Sequence, residues 1–165
     1  MTEVPDRARR AFRDHDGFEP APEPHTFRPV TTPFDVAVSV AGREDGAVGF
    51  EVVVRVPTLA AAVEDHVAAV VEDGWYETFE LRITDVGDVT RGDHDLDPTV
   101  RRAGDEAVVE LAYADIDPRR GVADAMAFVN FVEGTYVQGV VPGYEYREPV
   151  ADILAEARRA AGAED

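Results

Sequence analysis

The chain has 165 residues, 45% of them hydrophobic, a formal net charge of −18 and no cysteine. A chain of that length fits one domain burying roughly 70% of the surface its unfolded form exposes, and without cysteine it has neither disulfides nor thiolate metal sites. No apolar run is long enough for a transmembrane helix, and the opening residues MTEVPDRARRAFRDHDG hold no apolar signal core, so a soluble, cytoplasmic protein is expected.

From the N-terminus, Val4 to Arg13 reads as a short helix with Val4, Ala8, Ala11 and Phe12 inward, ended by Gly17. Five prolines between Pro20 and Pro33 then favour an extended, semi-rigid spacer, so that residues 1–33 read as a helix plus a proline-rich arm and 34–165 as the main α+β domain. Phe34 to Ala41 alternates as a strand, with Phe34, Val36, Val38 and Val40 on one face and Asp35, Ala37 and Ser39 on the other. Asp45-Gly46 signals a hairpin turn, and Ala47 to Val56 returns as the second strand. Thr58 offers an N-cap to a helix over 59–72 carrying Leu59, Val63, Val67, Val70 and Val71, which Asp73-Gly74 should break. The stretch 75–83 fits either a strand or a helix; the i, i+4, i+8 spacing of Trp75, Phe79 and Ile83 decides for helix.

After an acidic connection, Leu96 to Arg102 and Glu106 to Ile116 form a second pair of strands around Ala103-Gly104-Asp105. In the later strand Val108, Glu110, Ala112 and Ala114 share one face, and Val109, Leu111, Tyr113 and Asp115 the other. Pro118 opens the most apolar segment of the chain, where Val122, Ala125, Met126, Val129, Val132, Tyr136 and Val140 recur at helical spacing until Pro142-Gly143 stops it. Pro149 to Ala161 adds a last helix with Val150, Ile153, Leu154, Ala157 and Ala161 in a stripe. The two halves read as a degenerate ββα repeat, with 27 residues from Val48 to Trp75 and 28 from Val108 to Tyr136. The expected fold is therefore α+β: a four-stranded antiparallel sheet of two hairpins, with helices mainly on one face.

All 16 basic residues are Arg; there is no Lys. This Lys-free, acidic composition resembles that of haloarchaeal cytoplasmic proteins, in which concentrated salt screens self-repulsion. Together with Arg119-Arg120-Gly121, the segment Val132 to Tyr144 and Val71-Glu72-Asp73-Gly74-Trp75, it makes the chain look like an uncharacterised haloarchaeal family of small acidic proteins, a domain of unknown function. The resemblance implies no activity, cofactor or catalytic residue. The element order is also similar to the α+β fold of type III secretion chaperones, an analogy of fold alone.

Candidate chemistry is sparse. Asp85, Asp88, Asp93, His94, Asp95 and Asp97 gather oxygen ligands and an imidazole, and Asp93, His94, Asp95 and Asp97 are the weak metal candidates. The run lacks the glycine and terminal glutamate of a calcium loop, so no metal and no cofactor is assigned. His66 reads as a half-buried helix residue, and His15 and His25 as loop residues. Ser39 is the sole serine, mid-strand with no base nearby in sequence, and no phosphate-binding or dinucleotide-binding glycine loop occurs. The arginine pairs at 9–10, 101–102, 119–120 and 158–159 read as ion-pairing residues, because binding to a nucleic-acid backbone loses its driving force in concentrated salt. What remains is the aromatic set Trp75, Tyr76, Tyr136, Tyr144 and Tyr146, which reads first as a seal of the core below the helix ends and otherwise as a surface for a protein partner, a second copy of the chain in a homodimer, or a small molecule. The reading is a non-enzymatic interaction or regulatory module, with a ligand-binding or enzymatic domain as the alternative.

Overall fold

A computed structural model describes residues 5–86 and 96–163. Its centre is a six-stranded antiparallel sheet in the order β1-β2-β3-β4-β6-β5: β1 Phe18–Pro20, β2 Thr26–Pro29, β3 Asp35–Gly42, β4 Val48–Pro57, β5 Thr99–Ala103 and β6 Glu106–Asp115. The helices are α1 Asp6–Arg13, α2 Leu59–Ala62, α3 Ala69–Thr84, α4 Pro118–Gln138 and α5 Val150–Ala163.

The class is as expected; the strand count is not. Six strands replace four because the proline-rich stretch folds back on itself and pairs with β3 through Thr26↔Ser39 and Phe27↔Val38. Pro20 and Pro29 each lie at the end of a strand in a short hairpin at the sheet margin, where a missing N–H costs little. Burial drives the fold-back: Phe12 of α1 stacks on Phe27 of β2 at 4.0 Å between ring centroids and meets Phe18 edge-on at 5.2 Å.

The two central hairpins lie where the turn residues place them. Gly46 and Gly104 both take positive φ, 85° and 62°, which side chains rarely tolerate. The hairpins meet through their second strands, β4 and β6, in a ten-residue ladder from Val48↔Asp115 to Pro57↔Glu106. Val36, Val38, Val48, Phe50, Val52, Val54, Val56, Val109 and Leu111 are buried together on the inner face.

The helices gather on that inner face. α4 starts at Pro118 as the spacing predicts and ends at Gln138, short of Val140 and the expected stop at Pro142-Gly143; its Val122, Ala125, Phe128, Val129, Val132 and Tyr136 are buried. Gly121 brings α4 close to the sheet: a Cβ there would stand 2.3 Å from the ring of Phe50. The Asp117 carboxylate caps the helix by accepting from the Arg119 and Arg120 N–H groups. Arg120 reaches back to buried Asp115 through two 2.8 Å hydrogen bonds, which lock the end of β6 to the start of α4. The Tyr113 hydroxyl donates to the Gly121 carbonyl at 2.6 Å.

The helix expected over 59–72 divides in two. α2 ends at Ala62 because Val63 is drawn into an extended bridge with Tyr146, flanked by Glu64 N–H to the Glu145 carbonyl at 2.9 Å and Arg147 N–H to the Ala62 carbonyl at 2.7 Å. Asp73-Gly74 does not break the chain but lies inside α3, whose Trp75, Phe79 and Ile83 are buried. An exposed helical glycine costs only about 1 kcal/mol, less than burying two aromatic rings returns. His66 falls in the connection between α2 and α3 and is exposed, rather than sitting at the edge of a helix. Val4 and, within the acidic connection, Asp88, Asp93, His94 and Asp95 lie outside the described residues.

Candidate functional site

With the helices on one side, the outer face of the sheet carries no covering element among the described residues. Its make-up follows from strand alternation. β3 turns Ala37, Ser39 and Ala41 outward, β4 turns Gly49, Glu51, Val53 and Arg55, and β6 turns Val108, Glu110, Ala112 and Ala114. The register aligns these into rows across the strands: Ala41–Gly49–Ala114, then Ser39–Glu51–Ala112, then Ala37–Val53–Glu110, then Asp35–Arg55–Val108–Arg101.

The rows differ in chemistry. In the last two, charge is paired. Arg55 lies 3.7 Å from Glu106 and Arg101 3.2 Å from Glu110, while Val108 is fully buried between its two arginine neighbours. Exposed pairs of this kind contribute about 0–1 kcal/mol each, but their aliphatic stems shelter the apolar residue between them. The first two rows are almost bare. They form a shallow depression of about 350 Å³ bordered by Ser39, Ala41, Gly49, Ala112 and Ala114, with Arg43 and Glu51 as its charged groups. Arg43 lies across it, its Cγ and Cδ 3.8 Å from where a Cβ on Gly49 would stand. Its guanidinium makes a loose contact with Asp45 at 3.7 Å. A patch of alanine, glycine and serine with one arginine and one glutamate at it is a sparsely charged opening in a chain with 30% charged residues.

Beside it, Glu51, Asp97, Thr99 and Glu110 border a smaller depression of about 210 Å³. Glu110 is engaged by Arg101, Asp97 is exposed, and no three His, Cys, Asp or Glu side chains converge on a metal position among the described residues. Asp93, His94 and Asp95, the other metal candidates, lie outside the described residues.

The five aromatic candidates do not border the depression on the outer face. Trp75 and Tyr136 are core residues, 6% and 2% exposed, meeting edge to face at 5.8 Å. The Tyr136 hydroxyl donates to the Pro57 carbonyl at 3.0 Å, and burial holds its pKa well above the ordinary tyrosine value. Tyr76 is half-buried, with the Arg102 guanidinium 4.2 Å from its ring centre and a 3.4 Å bond to Glu80; burial, then the Glu80 charge, push its pKa up. Tyr146 closes the loop after α4, its hydroxyl donating to the Val141 carbonyl at 2.7 Å and accepting from the Val141 N–H at 3.0 Å. Tyr144 is half-buried beyond the Pro142-Gly143 turn.

Sequence reasoning finds Ala37, Ser39, Ala112 and Ala114 on their strand faces but not the patch they make with Arg43, Gly49 and Glu51. The signal available was the run of small outward residues in both hairpins of so charged a chain.

These features define a two-layer α+β domain, an antiparallel sheet with helices on one face and an exposed, partly uncharged surface on the other. Residues 13–156 match DUF5813, a family of unknown function, and the chain belongs to that family. No curated protein and no solved structure matches it.

Proposed function

We propose that this protein is a non-enzymatic protein-interaction module of a salt-rich archaeal cytoplasm, and that the outer face of its sheet is the docking surface. The observation that carries this is the uncharged patch of Ser39, Ala41, Gly49, Ala112 and Ala114 on a chain of net charge −18. Small side chains give up little rotamer freedom on contact and let another backbone approach closely. The depression is shallow, and among the described residues Arg43 and Glu51 are its charged groups, which suits a flat protein contact better than an enclosed small molecule. The halophilic part of the reading is supported by composition, 34 acidic residues against 16 arginines and no lysine.

The test is affinity capture at about 2 M KCl, where repulsion between acidic chains is screened, comparing the protein with its Ala112→Trp variant. A partner retained by the parent and lost by a folded variant supports the reading; identical retention by both refutes the surface. A second contact at the aromatic end of α4 is favoured by Tyr144, a large ring left half-exposed after the Pro142-Gly143 turn. Tyr144→Asp would abolish capture if that surface is the one used.

A further inference from the structure

We infer that the occupant of the outer face is a second copy of this chain, docked face to face about a two-fold axis so that Arg43 of each copy meets Glu51 of the partner subunit. This names the partner for the surface proposed above and rests on that reading.

The register supplies the geometry. A two-fold axis lying across the strands, midway between the Ala41–Gly49–Ala114 and Ser39–Glu51–Ala112 rows, lays each row of one copy on the other row of its partner. Ala41 then faces a serine and Ala114 an alanine, so small residue meets small residue. Gly49, under the Arg43 stem, faces Glu51 of the partner subunit. The large side chains along these rows are Glu51 and the overlying Arg43, the pair that the docking brings together.

Charge decides between occupants. The patch carries one cation and one anion, Arg43 lying over the row of Gly49 and Glu51 on the next row. A uniformly basic ligand would pair with Glu51 and be repelled by Arg43; an acidic one would do the reverse. A second copy presents the same two charges in inverted order and satisfies both, twice over.

Size agrees. With the axis between the first two rows, the overlap is the hairpin end of β3, β4 and β6, roughly 20 Å by 14 Å or on the order of 300 Å² per copy, the small contact of a reversible dimer. The sheet margins are poor alternatives. β1 is three residues long and ends on Pro20, and β5 follows Pro98 and carries Arg101 and Arg102, features that blunt edge-to-edge pairing. Two chains of −18 repel at long range, so added salt, which screens distant charges more than contacting ones, should strengthen the dimer.

Sedimentation equilibrium of the full chain at about 0.2 M and about 2 M KCl tests this. The expected result is twice the 18.0 kDa chain mass, with tighter association at the higher salt. Arg43→Glu or Glu51→Arg alone should weaken association by at least about tenfold, because each sets like charges against each other at two symmetric places. The double variant should return to within about threefold of the parent, a rescue that a merely misfolded protein would not show. Ala112→Trp should be monomeric with an unchanged far-ultraviolet circular dichroism spectrum. A monomer at every concentration overturns the second-copy proposal; if that monomer still loses a captured partner on Ala112→Trp, the interaction reading stands without it. A dimer indifferent to all these substitutions overturns the proposal and the outer face together.

Discussion

Two glycines in α4 should respond in opposite directions to the same substitution. In a helix interior, alanine is favoured over glycine by about 0.5–1 kcal/mol through backbone entropy. Gly134 has no atom within 4 Å of the position a Cβ would take, so Gly134→Ala should collect that gain whole. For a chain of this size that raises the melting temperature by about 1–4 °C. Gly121 is the contrary case. A Cβ there would come within 2.3 Å of two ring carbons of Phe50. The ring has little room to retreat: Phe50 is 2% exposed, stacked on Tyr113 at 5.2 Å and leaning on Phe12 at 6.2 Å. Moving α4 outward instead would stretch the bond from the Tyr113 hydroxyl to the Gly121 carbonyl and the Arg120–Asp115 pair. Overpacking of a filled core costs about 1–3 kcal/mol; with two ring carbons this close the upper part of that range applies, so after the helix-propensity gain Gly121→Ala should still lose about 1–2.5 kcal/mol. Thermal unfolding followed by circular dichroism reads both variants, and Phe50→Leu in the Gly121→Ala background should recover part of the loss relative to Phe50→Leu alone. If Gly121→Ala raised the melting temperature as Gly134→Ala does, the close approach of α4 to β4 would be wrong.

Folding should also depend on salt. With a net charge of −18, the melting temperature should climb between about 0.1 M and about 2 M KCl, and an unchanged value would remove the halophilic reading. At alkaline pH, the raised pKa of Tyr136 has a definite sign: the unfolded chain releases this proton near pH 10 while the folded one retains it. Its contribution is therefore complete below pH 10 and declines as pH rises through the folded value. Tyr136→Phe should flatten that decline by up to about 1.4 kcal/mol per pH unit, while costing about 1 kcal/mol at neutral pH because the Pro57 carbonyl loses its donor. Denaturant titrations at pH 8, 10 and 11 would show both effects, and an unaltered alkaline slope would contradict the burial argument.

The elements legible in the sequence are those whose signals are local. α4 announces itself through Pro118 and its apolar spacing, and the two central hairpins through Gly46 and Gly104. What escaped depends on distant partners. Val63 continues the helical pattern set by Leu59, yet takes an extended conformation because Tyr146, far along the chain, offers it a bridge. The prolines of residues 20–33 point to an extended chain; pairing with β3 and burial of Phe27 under Phe12 make it a hairpin. For the candidate surface, alternation divides each strand into two faces but does not say which neighbours stand alongside. Only the β3–β4–β6 register turns Ser39, Gly49 and Ala112 into one patch and brings Arg43 over it. Trp75 and Tyr136 illustrate the converse: aromatic composition cannot distinguish a binding cleft from the tightest part of a core.

The seam between β4 and β6 divides the chain almost in half. Residues 5–86 contribute α1 to α3 and β1 to β4; residues 96–163 contribute β5, β6, α4 and α5. Cut between 86 and 96, each fragment would keep its own hairpin but expose a ten-residue strand with every hydrogen bond of the seam unmade and its valine-rich face half-uncovered. Neither fragment should persist alone, and the only partner matching both the open edge and the exposed apolar face is the other fragment. Co-expressed as two polypeptides, they should assemble into a split protein that co-elutes and melts in one transition, a ready-made complementation pair. A fragment that folded by itself into a stable monomer would mean that the seam is dispensable to the half containing it.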